Sequence, residues 1–317
     1  MNKKLKNNFL NLKLNPILLI ILILIFQTNS NSNINKIITK VDNEIITTID
    51  IFDEINYLSI INKNFSDIPK NEQIEISKKS LIKEKIKKIE LLRNFGEVNL
   101  KDDYKSGIIK DFYIRLGFSD KAKFKSFLLN NQVSLSYIEN KIIIETLWNQ
   151  LIVKKFYNKV KIDENKIKEE VLKNNYQKEY LISEILFSLN EGENINDKYE
   201  KIKNSINNSN FSNAALLFSI SDSSKNGGKI GWVKKSVLNK VIQESISSIE
   251  IGSFTNPIIL PGGLLILKLH DIREIKVEEN VDKRLKSLIN EKTNQQLNDF
   301  SNIYFNKVKK NIKINEI

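Results

Sequence analysis

The sequence predicts an α+β protein. It reads as an all-helical N-terminal module with a short β-hairpin, completed by a C-terminal helix, plus a separate α+β domain with a small antiparallel sheet. Two patterns predict this. Apolar residues recur at helical spacing before residue 178 and again after residue 281, and between those points short β-branched runs alternate with short helical ones. A hydrophobic fraction of 41% over 317 residues is enough to bury a core.

The first element is a leader, residues 1–32. Its opening residues carry Lys3, Lys4, Lys6 and Lys13 and no acid, and an unbroken apolar run from Ile17 to Phe26 follows Pro16. Such a run suits a secretory signal and falls short of the roughly 20 residues of a membrane-spanning helix. Thr28, Ser30 and Ser32 supply the small residues of a cleavage region. The expectation is an exported, periplasmic protein with no stable membrane span after signal cleavage. An uncleaved anchor is the alternative, and it too leaves the bulk of the chain outside the cytoplasm.

Residues 33–160 are expected to form the helical module. Two β-branched runs turn at Asp42-Asn43 as a hairpin, and Thr48 is placed to cap a helix from Ile49. A longer helix spans about Glu72 to Asn94, with Ile82, Ile86 and Ile89 on one stripe and Gly96 ending it. Another begins near Asp103 and stops at Gly117. The strongest pattern is Ser134–Val160, where Ser136 and Glu139 have capping-box spacing and Ile144, Leu147, Trp148, Leu151 and Ile152 repeat at helical intervals. Residues 161–177 read as a charged helical connection.

Residues 178–275 form the α+β domain, of a size suited to one core. Strands are expected at Tyr180–Leu189, Lys229–Val233, Phe254–Ile259 and Leu264–Ile275. Helices are expected at Ile195–Asn207, Phe211–Ser219 and Ser236–Ser248. In residues 276–317 the stretch Val281–Val308 is amphipathic again and is expected to pack on the N-terminal module.

Composition excludes several functions. The net charge is +12, of which four charges belong to leader lysines, and only four of the fifty basic residues are Arg. The other lysines alternate with Glu and Asp as solvated helix faces do, so no nucleic-acid partner is expected. There is no Cys and one histidine, His270. This leaves no basis for zinc, iron–sulfur or thiol chemistry, and no cofactor is expected.

The most specific motif lies in the middle domain. Ser221-Asp222-Ser223-Ser224-Lys225-Asn226 leads into Gly227-Gly228-Lys229-Ile230-Gly231-Trp232, and Gly252-Ser253-Phe254-Thr255-Asn256-Pro257 follows. The glycines run into the β-prone pair Trp232-Val233 and not into a helix N-terminus, so this is no phosphate loop. With Ser183-Glu184-Ile185-Leu186 and Gly263-Leu264-Leu265, the set resembles a parvulin-type peptidyl-prolyl isomerase domain. Joined to a leader, a helical module and a returning helix, it resembles the SurA-type periplasmic chaperones with a single parvulin-like domain.

That resemblance implies a proline pocket beside a hydrogen-bonded polar cluster built from two histidines and a Cys or Asp. The pocket maps onto Ile230, Leu238 and Ile242, whose alternative role is ordinary core packing. In the cluster, Glu184 stands at the first histidine position, Ser223 nearest the Cys/Asp position and Leu265 at the second histidine position. His270 lies five residues beyond Leu265 and is expected on the opposite face of the strand. Two readings follow. In one, Glu184 and Ser223 are a working catalytic substitute. In the other, the domain, with Leu265 in its wall, binds peptide with weak or no isomerase activity. The loss of both histidines favours the second. The implied partners are unfolded or nascent exported polypeptides, including outer-membrane β-barrel clients.

Overall fold

The computed structural model describes residues 35–173, 176–189, 192–276 and 280–317. The leader and its cleavage region lie outside the described residues. Residues 37–317 form one compact unit. No helix among the described residues is long and apolar enough to cross a membrane.

The hairpin forms as its sequence suggests: β1 (Ile37–Val41) and β2 (Glu44–Thr47) pair antiparallel around Asp42, whose φ is 47°. Helix α1 (Thr48–Ile61) is capped one residue earlier than expected. Thr47, not Thr48, accepts from the Asp50 amide, and Asp50 returns the bond in a capping box. Helix α2 (Lys70–Phe95) ends at Gly96, which has a φ of 78°, and α3 (Asp102–Arg115) ends before Gly117. Helix α4 (Lys121–Asn130), capped by Asp120, was not anticipated from the sequence. In α5 (Leu135–Phe156) the cap is Ser134, bonded to the Tyr137 amide, so the Ser136/Glu139 box does not form.

The connection is shorter than expected. Helix α6 (Glu164–Lys173) is followed by a strand that already starts at Tyr176, so the helical reading of 161–177 overshoots at its C-terminal end. The central strand β3 (Tyr176–Phe187) is followed by α7 (Ile195–Asn208) and α8 (Phe211–Phe218), then by β4 (Lys229–Lys234) and α9 (Lys240–Ser247). Helix α9 starts later than the sequence suggested because Asn239, not Ser236, caps it. The Phe254–Ile259 strand reduces to one bridge at Phe254 and to β5 (Ile258–Leu260). Pro257 between them offers no amide to a ladder. Strand β6 (Gly263–Lys276) completes a four-stranded antiparallel sheet ordered β4-β3-β6-β5.

The C-terminal helix α10 (Val281–Lys309) returns across the helical module. Its Phe305 and Val308 share a core with Leu91 and Ile86 of α2 and with Leu147, Trp148 and Leu151 of α5. Trp148, fully buried, donates from its indole nitrogen to Ser301 Oγ at 2.9 Å. A short strand missed from the sequence, β7 (Ile314–Glu316), then pairs with β1 and completes a sheet ordered β2-β1-β7.

Charged groups tie the helical module together internally. Glu54 of α1 is fully buried and meets Lys141 of α5 at 2.5 Å, Ser80 of α2 at 2.5 Å and the Tyr137 hydroxyl at 2.6 Å; Lys141 also reaches Glu84. Every member has a partner, the condition under which a buried ionic network is tolerated.

Candidate functional site

The candidate site is built where β3 passes the turn between α8 and β4. That turn contains a short 3-10 segment, Asp222–Asn226, capped by the Ser221 side chain. Gly227 and Gly228 bring it against β3. Both have positive φ, 65° and 75°, and a Cβ on Gly228 would stand 2.2 Å from the Glu184 carbonyl oxygen. The Glu184 amide donates to the Gly228 carbonyl at 2.8 Å. Gly228 therefore lets the turn backbone approach β3 more closely than any side chain allows, while Gly227 leaves room for the Ser212 side chain of α8.

This approach delivers two hydroxyls to one carboxyl oxygen. Ser223 Oγ donates to Glu184 Oε1 at 2.9 Å, and Ser221 Oγ donates to the same oxygen; the two hydroxyls lie 3.1 Å apart. Glu184 and Ser223 are thus brought together. The sequence reading missed Ser221 as a cluster member, although it stands inside the quoted motif. Burial pushes the Glu184 carboxyl above the ordinary glutamate value, against the lowering effect of the two hydroxyls.

The apolar part is distributed differently from expectation. Leu238, Ile242 and Leu265 share one cluster with Leu186 and Leu267, at 7%, 5% and 4% exposure, and so act as core. Ile230 does not join them and is 43% exposed. The reason is a β-bulge: Gly231 opposes Ile182 and Lys229 opposes Ser183, which leaves Ile230 as the unpaired extra residue. The strand register is also offset. Glu184 lies opposite Leu267, and Leu265 lies opposite Leu186, two residues along the same face. His270 is the extra residue of a second bulge and pairs with Ser183 Oγ at 2.8 Å. Ser183 neighbours Glu184 and points to the other face of the strand, so His270 is separated from the cluster by the sheet. Burial, with Lys268 and Lys229 nearby, lowers its pKa.

The cluster is not open to solvent on all sides, because its turn is clasped by the helical module. Asp222 meets Lys83 at 2.6 Å and Lys87 at 3.0 Å, both on α2, while Lys225 meets Glu145 of α5 at 3.1 Å. Glu145 and Lys87 are themselves 2.5 Å apart. Lys79 and Lys83 donate to the carbonyls of Leu217 and Ile220 at 2.8 Å each. Burial acts against the Asp222 charge, but Lys83, Lys87 and Lys225 hold it well below the usual carboxylate range. Asp299 of α10, which is exposed, lies close enough for its carboxyl to feel the Glu184 charge. Its pKa is pushed up to about 6 by its protein surroundings and by the Glu184 carboxylate. Sequence reasoning missed these groups. Lys79, Lys83 and Lys87 recur every fourth residue, and that stripe along one face of α2 is the signal that would have found three of them. Among the described residues no group of three His, Asp or Glu side chains is arranged to hold a metal ion.

The sheet, the double-glycine turn and the hydroxyl–carboxyl cluster together define a rotamase-type domain. Residues 182–271 match the family model "Rotamase: PPIC-type PPIASE domain", so the chain carries a PPIC-type domain there. Among curated relatives, Chaperone SurA of Pseudomonas putida is 28% identical over 119 residues, covering 34% of this chain and 27% of that protein. Chaperone SurA of Pseudomonas aeruginosa is 38% identical over 63 residues, covering 20% and 15% respectively. The chain therefore matches about a quarter or less of the length of these relatives.

Two solved structures are similar over more of the chain. One, a structure described as one of two structurally related SurA-like chaperones of Campylobacter jejuni, is 20% identical, covers 89% of this chain and 99% of that one, and has a TM-score of 0.36. The other, a peptidylprolyl isomerase (PrsA) of Bacillus anthracis, is 20% identical, covers 74% and 100%, and has a TM-score of 0.32. Both scores are low, so the relationship rests on the local sequence match of the rotamase segment.

Proposed function

We propose that this protein is a periplasmic chaperone that holds unfolded outer-membrane or secreted polypeptides, with its PPIC-type domain used mainly to bind peptide. The observation that carries this reading is the clasp on the cluster turn. Asp222 and Lys225, beside Glu184, Ser221 and Ser223, are ion-paired to α2 and α5. Such restraint suits a peptide-binding surface shared by two modules, because a surface already held in place loses little freedom when a peptide docks. The division of labour follows the sequence reading. Residues 1–32 direct export and are removed, residues 33–160 with residues 276–317 hold the client, and residues 178–275 add the peptide-binding domain.

The test is suppression of aggregation of an unfolded β-barrel client by the mature chain at equimolar dose. No change in light scattering would sink the reading. N-terminal sequencing of the exported protein tests the leader: a start near Asn31 or Asn33 supports cleavage, and an intact Met1 supports a tether.

One observation favours a second reading, active isomerisation: two hydroxyls converge on a single Glu184 oxygen. Preorganised polar groups of this kind can stabilise a twisted amide, lowering a barrier of about 18–20 kcal/mol. Under this reading a Xaa-Pro peptide isomerises faster with the protein present, and Glu184→Gln or Ser223→Ala removes the acceleration. Under the preferred reading the acceleration is slight in the parent protein.

A further inference from the structure

A second concave site lies where α2, α8 and α10 meet, in a cavity of about 290 Å³. Its floor is apolar, made by Ile82 and Ile86 of α2, Phe218 of α8 and Phe305 of α10. Its rim carries four ammonium groups, Lys79, Lys83, Lys198 and Lys309, and no carboxylate lines it among the described residues. Two of the four are already committed: Lys83 pairs with Asp222 and Lys198 with Glu193. Lys79 donates only to the Leu217 carbonyl, and neither it nor Lys309 meets a carboxylate at ion-pair distance among the described residues. Burial lowers the Lys79 pKa against the opposing Glu75 charge, and the Lys198 and Lys309 charges push the same way as burial. Four cations line the cavity with no carboxylate in its wall among the described residues, so the site is complementary to negative charge.

The greasy floor narrows the choice of anion. A bare phosphate or sulfate has no use for Phe218 and Phe305, whereas an anion attached to an apolar group fills floor and rim together. A larger cavity, about 1200 Å³, adjoins the first and shares Ser188 and Lys309 with it. It runs along β5, an edge strand hydrogen-bonded to β6 on one side only, where Ile259 is 78% exposed. A free strand edge is a template for an extended polypeptide backbone, and a hydrocarbon tail has nothing to offer it.

We infer that this paired site takes the C-terminal end of an unfolded polypeptide. The chain lies extended along β5, its last apolar or aromatic side chain rests on Phe218 and Phe305, and its terminal carboxylate meets Lys79 and Lys309. This deepens the holding function proposed above and rests on it, because it names the part of the client that is gripped.

The experiment is fluorescence anisotropy with an N-terminally labelled peptide of alternating apolar residues ending in Phe, as the free acid and as the C-terminal amide. The acid is expected to bind at least about tenfold more tightly at low salt, with the difference shrinking as salt rises. The double variant Lys79→Gln, Lys309→Gln is expected to bring the acid down to the affinity of the amide, while Lys201→Gln on the exposed face of α7 leaves both unchanged. Equal binding of acid and amide by the parent protein overturns the inference whatever the variants do, since the comparison needs no altered protein. If acid and amide bind equally while client aggregation is still suppressed, the carboxylate site falls and the holding reading stands. If the acid preference persists without suppression, the site stands and the holding reading falls. Palmitate binding that depends on Lys79 and Lys309, with no acid preference for the peptide, replaces the polypeptide with a lipid and overturns the inference.

Discussion

A methyl group on Gly228 would collide with the Glu184 carbonyl at a φ that L residues rarely adopt. Gly228→Ala is expected to cost at least about 2 kcal/mol in urea unfolding and to disorder the Ser221–Ser223 hydroxyls. A methyl group on Gly107 in α3 would meet nothing within 4 Å, and the backbone there is helical, so Gly107→Ala should stabilise by about 0.5–1 kcal/mol. The carboxyls near the cluster set a pH dependence whose sign can be worked out. Asp299 rises from 3.8 to about 6, and Glu184 is also raised. For both groups the folded state holds its proton to higher pH than the unfolded chain does, so the stability they contribute is present at low pH and is lost as pH rises, for Asp299 as it passes about 6. Asp222 acts in the opposite sense. Its value is depressed, so its contribution is present above 3.8 and disappears as pH falls well below that. Asp299→Asn should therefore raise the melting temperature only slightly at pH 7.5, because the side chain is exposed and its charge is screened, and leave it unchanged at pH 4, as read by thermal unfolding at the two pH values.

At the scale of elements, α10 is held to the helical module largely through Trp148, which packs against Tyr304 and Phe305 and donates to Ser301. Trp148→Ala should cost about 3–5 kcal/mol, and Ser301→Ala, which leaves the buried indole N–H without its partner, about 1–3 kcal/mol, both from denaturant curves. The long helices were legible in the sequence because their apolar stripes run for about two turns: Ile82, Ile86 and Ile89 in α2, Ile144 to Ile152 in α5. Their caps were less so. Thr47 and Thr48, or Ser134 and Ser136, offer the same chemistry one or two residues apart, and only the path of the entering chain decides between them. Strand β7 was invisible because three residues carry no period, and it exists only because β1 offers an edge. In the site, the pairing of Glu184 with Ser223 was legible from the motif, and the part played by Ser221 was not. Ile230 was misplaced because a bulge breaks the period-two rule without any mark in composition. Asp299 lies more than a hundred residues from Glu184 along the chain, and nothing local connects them.

At the scale of the whole molecule, the two modules are joined through charges as well as through apolar contacts. Lys87 is 1% exposed on its side chain and is neutralised by Glu145 and Asp222, the latter from the rotamase domain. Removing one partner of such a buried pair commonly costs about 3–5 kcal/mol. Asp222→Ala is thus expected to loosen the rotamase domain from α2, seen as faster hydrogen exchange in Asp222–Asn226 and in α8 and as a larger radius by X-ray scattering, with the helical module's own protection retained. Unchanged exchange in those segments would mean that apolar contact alone holds the modules together. Strand β7 beside β1 has a further consequence. The sheet of the helical module joins residues 37–41 to residues 314–316, and the rotamase domain is contiguous between them. During synthesis, the middle domain has all of its own strands before the flanking module can close. The order of maturation is therefore built into the topology. The rotamase domain can fold first, and the sheet that closes the helical module comes into being only after β7 has emerged, so a nascent copy passes through a stage with a finished rotamase domain and an unfinished helical module.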